Sequence, residues 1–282
     1  MERTVNTKTV GTPTQDGAGV KLVRVLGHNT VGEYDPILML DSFDSTHPEN
    51  YTAGFPMHPH RGIETISYVY RGKMIHRDSL GNEDTIAEGE VQWMTAGSGI
   101  LHEEMLPASP RLLGVQLWLN LPAAHKMAAP AYASVKNADI PELPFEGGLL
   151  RLLAGRYGNR QGHQSRYLPF DYYDVHLEPN ASLTLETEEE RSVMVFSLVG
   201  EFSVGGVTIP EKTAAHLTRG DRVELKASRL GAQLLFISAL PVAEPVAWGG
   251  PIVMNTREEL SRAFEELRQG TFLKNEMTYE KQ

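Results

Sequence analysis

The chain contains no cysteine in its 282 residues, which excludes disulfides, thiolate zinc sites and nucleophilic thiols. Any metal must then be held by nitrogen and oxygen ligands. No run approaches the roughly 18 apolar residues that a membrane-spanning helix needs, and the opening stretch MERTVNTKTVGTPTQDGAG lacks an apolar core of signal-peptide length. No membrane contact and a cytoplasmic location are the expectations. Positive charge is scarce: 26 Lys and Arg against 36 Asp and Glu leave a formal net charge of -10, with a pI near 5.5. Such a balance argues against direct nucleic-acid binding, because that requires a basic field to displace counterions from phosphate. Helix signals are nearly missing as well, and only one stretch near the end carries them.

What is present is a series of short strand-like segments between glycine turns. Residues 20–25 (VKLVRV), 63–70 (IETISYVY), 73–78 and 112–119 (LLGVQLWL) are β-branched, aromatic or alternating, and SLGN at 79–82 reads as a hairpin turn. Regular short strands of this kind indicate an all-β sandwich or barrel. The Ala/Pro-rich stretch 123–133 reads as a linker, which divides the chain into domains at 1–135 and 136–282.

The second half repeats the style of the first. VYRG at 69–72 resembles SLVG at 197–200, and AEGEVQWM at 87–94 resembles TRGDRVEL at 218–225. An internal duplication of a β-unit follows. In that superposition His58 and His60 fall near Glu186 and Glu188, while His102 and Glu104 fall near Gln233 and Leu235, so only one half keeps a ligand set. At about 255–269 the pattern changes to a single amphipathic helix: Asn255 or Thr256 can cap it, Leu260, Phe264 and Leu267 form its apolar stripe, and Gly270 stops it. Its apolar stripe is expected to lie on a sheet, and the tail beyond it to fray.

The residue pattern that points to chemistry lies between Phe55 and Met105. His58 and His60 share i, i+2 spacing, as do His102 and Glu104, and residues so spaced on a strand point to one face. If the two pairs meet on neighbouring strands, three imidazoles and a carboxylate can hold one first-row divalent metal with positions left open. A lone histidine pair is more often a loop or surface feature; two pairs at ligand spacing in an all-β chain favour a metal. Glu104 is both a candidate ligand and a candidate base. Glu103 should point away, Glu64 reads as a salt-bridge partner for Arg61 or an outer residue, and His76 reads as structural. His28, His47, His125, His163, His176 and His216 have no partner at ligand spacing. Among Phe55, Trp93, Met94 and Met105, one or two are expected to wall an apolar pocket.

The segments DGAGVKLVRVLG, DPILMLDSFDS, GFPMHPHRGIETISYVYRG, HRDSLGN, VQWMTAGSGILHEEM, GVQLWLNLP and PIVMNTREEL together resemble the pirin family, two-domain members of the cupin superfamily. The resemblance implies two cupin (jelly-roll) β-barrels facing each other, with one metal in the first barrel and none in the second. Carried over position by position, the family's ligands fall on His58, His60, His102 and Glu104. Thr95 stands where the general cupin motif has proline, and Met57 lies within the otherwise matching FPxHPHRG. The implied metal is Fe(II) first, with Ni, Cu, Mn, Co or Zn also compatible.

The implied activity is quercetin 2,3-dioxygenase: opening of a flavonol ring with O2 and release of carbon monoxide, in a monomer. A rival implication is an iron-dependent redox-sensing protein that acts through a protein partner. Hydrolase or isomerase chemistry at the same site is a third.

Overall fold

The computed structural model describes residues 1–275 and is built of β-strands with a single α-helix, Arg257–Gln269, among the described residues. Among those residues no helix is long and apolar enough to cross a membrane. Contacts group the chain into two compact units. One comprises Pro13–Leu22, Ile37–Lys136 and the chain from Val242 onward; the other comprises Met1–Thr12, Val23–Pro36 and Asn137–Pro241. The division expected from chain order, 1–135 and 136–282, therefore departs from the contact grouping at both chain ends. Val5–Val10 finds its ladder partner in Thr213–Leu217, far along the chain. The C-terminal helix, expected in the second domain, packs with Leu101 of the first half.

The first unit carries two sheets. The larger runs in the order Ala131–Val135, Glu90–Thr95, Ile63–Arg71, Leu112–Asn120, Ile37–Ser45, Val20–Leu26, Thr12–Asp16. The smaller has Phe55–His60, Ile100–Met105, Met74–Asp78 and Glu83–Ile86. All nine residues of Leu112–Asn120 are buried, as its near-continuous apolar composition requires of a central strand. Val20, Phe43, Val69 and Leu112 of the larger sheet meet Met74 and Ile86 of the smaller in one apolar cluster. Full burial of each such side chain stabilises by about 1.5–3 kcal/mol. The stretch expected to be a linker is in part structural: Ala131–Val135 pairs with Glu90–Thr95, and Lys126 is buried.

The second unit has a nine-stranded sheet centred on the pairing of Ser192–Val204 with Arg222–Ala239. Its interior is filled by Leu150, Leu152, Val175, Val193, Val195, Phe202, Leu225, Leu234, Phe236 and their neighbours. Glu186 and Glu188, the positions matched to the histidine pair, are exposed to solvent. Leu235 is fully buried, and Gln233 donates to Asp174 at 2.8 Å. None of these four positions carries an imidazole: two are exposed carboxylates, one is an amide already paired with Asp174, and one is a buried leucine.

Thr256 caps the helix: its hydroxyl accepts from the Glu259 amide at 3.2 Å, and Glu259 reaches back to the Thr256 amide at 2.9 Å. Gly270, at φ 72°, ends it. Leu260, Phe264 and Leu267 pack on Ile252, Met254 and Leu101. The tail was expected to fray, but Phe272 is buried in this cluster; the rest of that expectation concerns residues 276–282, outside the described residues.

Candidate metal centre

Strand pairing explains why the histidines meet. In the antiparallel ladder of Phe55–His60 with Ile100–Met105, His102 stands directly opposite His58 and Ile100 opposite His60. Directly opposed side chains on one face are nearest neighbours, and His60 is two residues from His58 on the same face. The ring centroids are 4.8 Å (His58 to His60), 4.4 Å (His58 to His102) and 5.0 Å (His60 to His102) apart. One nitrogen from each ring lies within 4.8 Å of the others.

The hydrogen bonds set which nitrogens face the common point. His58 Nδ1 is 2.9 Å from the Pro56 carbonyl and His60 Nδ1 is 3.0 Å from the Pro251 carbonyl. A carbonyl can only accept, so both Nδ1 atoms carry the proton and both Nε2 atoms present lone pairs. Those two Nε2 atoms are 3.0 Å apart, and His102 Nε2 is buried with no hydrogen-bond partner. Burial and the neighbouring His58 push His60 down to about 3, against a smaller opposing effect of the Pro251 carbonyl. Burial and the surrounding imidazoles likewise hold His102 well below the usual histidine range. Converging imidazole nitrogens, two of them on rings that burial disfavours from protonating, and an orphaned buried nitrogen fit a divalent transition metal, which needs deprotonated donors.

Glu104 is placed differently from the histidines. One extra residue in the Phe55–His60 strand shifts the register between His102 and Glu104, so that Glu104 faces Phe55. The larger sheet supplies a row of polar side chains to meet it: Gln116 stands opposite Ser67, and Ser67 opposite Gln92. Gln92 Nε2 donates to Glu104 Oε1 at 2.6 Å, and Gln116 Nε2 donates to Oε1 at 3.1 Å and to Oε2 at 2.8 Å. Ser67 Oγ approaches Oε1 at 3.4 Å. The carboxylate lies outside the 4.8 Å group formed by the three histidines.

Other side chains gain roles that spacing did not assign. His76, read as structural, is fully buried, stacks on Tyr132 with centroids 4.3 Å apart, and lies beside His102. Trp118 stands edge-on to His60 at 5.0 Å and contacts Trp248 at 5.6 Å, while its buried Nε1 has no hydrogen-bond partner. Phe55 instead joins the apolar cluster around Phe43. Glu64 accepts from the Thr95 hydroxyl at 2.6 Å, and Arg61 turns to Glu266 at 2.7 Å. Glu103 lies 3.5 Å from Arg77, away from the histidines. A signal for Gln92 and Gln116 existed: each is an amide flanked on both sides by apolar residues within a buried strand, and a polar group in such a place needs a polar partner.

Comparison with known proteins agrees with this architecture. Residues 19–119 match the family model described as Pirin, and residues 172–273 match the one described as Pirin C-terminal cupin domain. A Pseudomonas aeruginosa protein provisionally named a quercetin 2,3-dioxygenase is 38% identical over 270 residues, covering 92% of this chain and 94% of its own. Human Pirin is 33% identical over 259 residues, covering 90% and 88%. The crystal structure of a quercetin 2,3-dioxygenase from Acinetobacter baumannii superposes with a TM-score of 0.88 at 31% identity, covering 96% of this chain and 99% of that one. With its two cupin domains and its histidine cluster in the first of them, the chain belongs to the pirin family.

Proposed function

We propose that the protein is a metal-dependent dioxygenase that opens the flavonol ring of quercetin-like substrates with O2. His58, His60 and His102 would hold one divalent transition metal, Fe(II) first among the candidates, and Glu104, set outside the histidine group, would be its fourth ligand only by turning toward them. When bound, the metal supplies a point at which an electron-rich enolate and dioxygen can be brought together. The observation that carries the reading is the convergence of three imidazoles, one with an orphaned buried nitrogen. The similarity to proteins named for quercetin 2,3-dioxygenation supplies the substrate class.

Glu104 takes the proton of the flavonol 3-hydroxyl. Its Oε1 already accepts from Gln92, Gln116 and Ser67, whereas Oε2 accepts from Gln116 alone and keeps lone-pair capacity. Gln92 and Gln116 orient the carboxylate, and Trp118 with Trp248 offers an aromatic edge beside His60 suited to a flat ring system.

The test is to load the purified protein with iron, nickel, copper or manganese in turn and to follow flavonol absorbance and carbon monoxide release with and without O2. Turnover that disappears in His102→Ala and Glu104→Gln is the expected result. No turnover with any metal would overturn the dioxygenase reading. A second reading, a metal-dependent protein whose state is read by a protein partner, is favoured by one observation: His60 is hydrogen-bonded to the C-terminal segment through Pro251. Redox-dependent capture of a partner in the absence of turnover would support it.

A further inference from the structure

We infer that the C-terminal segment from Trp248 to Phe272 is the positioning element of His60, so that its docking and metal uptake are thermodynamically coupled. This rests on the metal-centre reading above. The bond of His60 Nδ1–H to the Pro251 carbonyl at 3.0 Å fixes the tautomer and ring orientation in which Nε2 is presented. Were the segment to lift away, a buried donor would lose its partner and the ring its aim.

Contacts of the residues around Pro251 hold the segment in that place. The Val253 amide donates to the Arg61 carbonyl at 3.1 Å, one residue beyond His60. The Arg61 guanidinium is buried and donates to the carbonyls of Ser98 at 2.7 Å and Phe272 at 2.8 Å, pairs with Glu266 at 2.7 Å, and lies 4.2 Å from the Phe272 ring centroid. Lys126 Nζ joins the two sides by donating to Gly62 O at 2.8 Å and Val253 O at 3.1 Å. A four-residue stretch containing two ligands, His58 to Arg61, is thus tied directly to the helix Arg257–Gln269 through Arg61 and Glu266.

Linkage then requires reciprocity. If docking of the segment raises metal affinity by some factor, metal binding must tighten docking by the same factor. A purely structural role for the segment would stabilise the apo and metal-loaded proteins alike and would show no such effect.

The experiment uses the full chain, metal-free and loaded with Ni(II), a redox-inert probe suited to imidazole. Hydrogen exchange is measured for the Val253 amide and for residues 257–272, and the nickel dissociation rate is measured in wild type, Glu266→Gln and, as a control, Glu265→Gln, which weakens pairings within the helix, to Arg268 and Gln269, and none to Arg61. The expected results are exchange in the segment about tenfold slower with nickel and dissociation about tenfold faster in Glu266→Gln alone, within the usual range of coupling between sites. Nickel uptake with unchanged exchange in the segment would overturn this inference and leave the metal centre standing. No nickel uptake by wild type would overturn both. The wild-type comparison needs no variant, so a folding defect in Glu266→Gln does not blunt the test.

Discussion

His76 and His102 lie side by side in the wall of the first barrel, with their Nδ1 atoms 3.5 Å apart, and Asp78 Oδ2 stands 3.0 Å behind His76 Nε2. Burial alone would raise the Asp78 carboxyl, but hydrogen bonds from His76 and Asn82 outweigh it and hold the group below the usual carboxylate range. An ionised Asp78 accepts from His76 Nε2–H, which leaves His76 Nδ1 as the acceptor for His102 Nδ1–H. The relay therefore directs the lone pair of His102 Nε2 to the point shared with His58 and His60. Replacing His76 by Leu, or Asp78 by Asn, is expected to weaken metal binding by about 10–100-fold. A competition titration with nickel and a chelator measures this, and unchanged affinity would show that the relay does not orient His102.

Gln116 donates to both oxygens of Glu104. Its replacement by Leu leaves a buried carboxylate short of partners, and a hydrogen bond to a charged group is worth about 1.5–3 kcal/mol. Urea unfolding should register a loss of that order in Gln116→Leu. The double variant with Glu104→Leu should recover part of it, because the unsatisfied acceptor is gone; strict additivity would argue against a direct interaction.

Gly62 sits at φ 78°, and a Cβ there would fall 1.9 Å from the Val253 carbonyl oxygen. The left-handed backbone alone costs a non-glycine residue about 1–2 kcal/mol, and the overlap adds to it. Gly62→Ala should therefore lower stability by about 2 kcal/mol or more by thermal unfolding. A loss under half that size would mean the segment near Val253 yields easily.

Lys126 is buried, and burial pulls its ammonium down to about 7 against weaker upward pulls from Glu244 and Glu259. In the unfolded chain the same group titrates near 10.4. Between those values the unfolded state binds the proton that the folded state has released, so this group makes stability rise with pH from about 7 toward 10. Below about 7 both states are protonated and the slope vanishes. Urea midpoints at pH 7 and pH 9.5 should show this rise in wild type relative to Lys126→Met; equal slopes would place the Lys126 titration elsewhere.

The three histidines of the candidate metal centre were legible because strand alternation is local: residues two apart share a face whatever the rest of the chain does. His58, His60 and His102 could be selected from ten histidines on that ground. The helix was legible for the same reason, since caps and periodicity lie within a few residues of each other. His76 was not, because its role comes from lying next to His102 across a strand pair, and nothing in MIHRDS announces that neighbour.

Residue identity and short-range spacing alone specify the all-β architecture, the absence of thiolate ligands and the set of imidazoles able to converge. How those groups are aimed depends on the folded chain. An added residue in one strand turns the Glu104 carboxylate to Gln92 and Gln116, and a carbonyl 191 positions away from His60 sets which of its nitrogens is free. Register and long-range hydrogen bonding depend on which strands and segments meet, and that is a property of the folded chain.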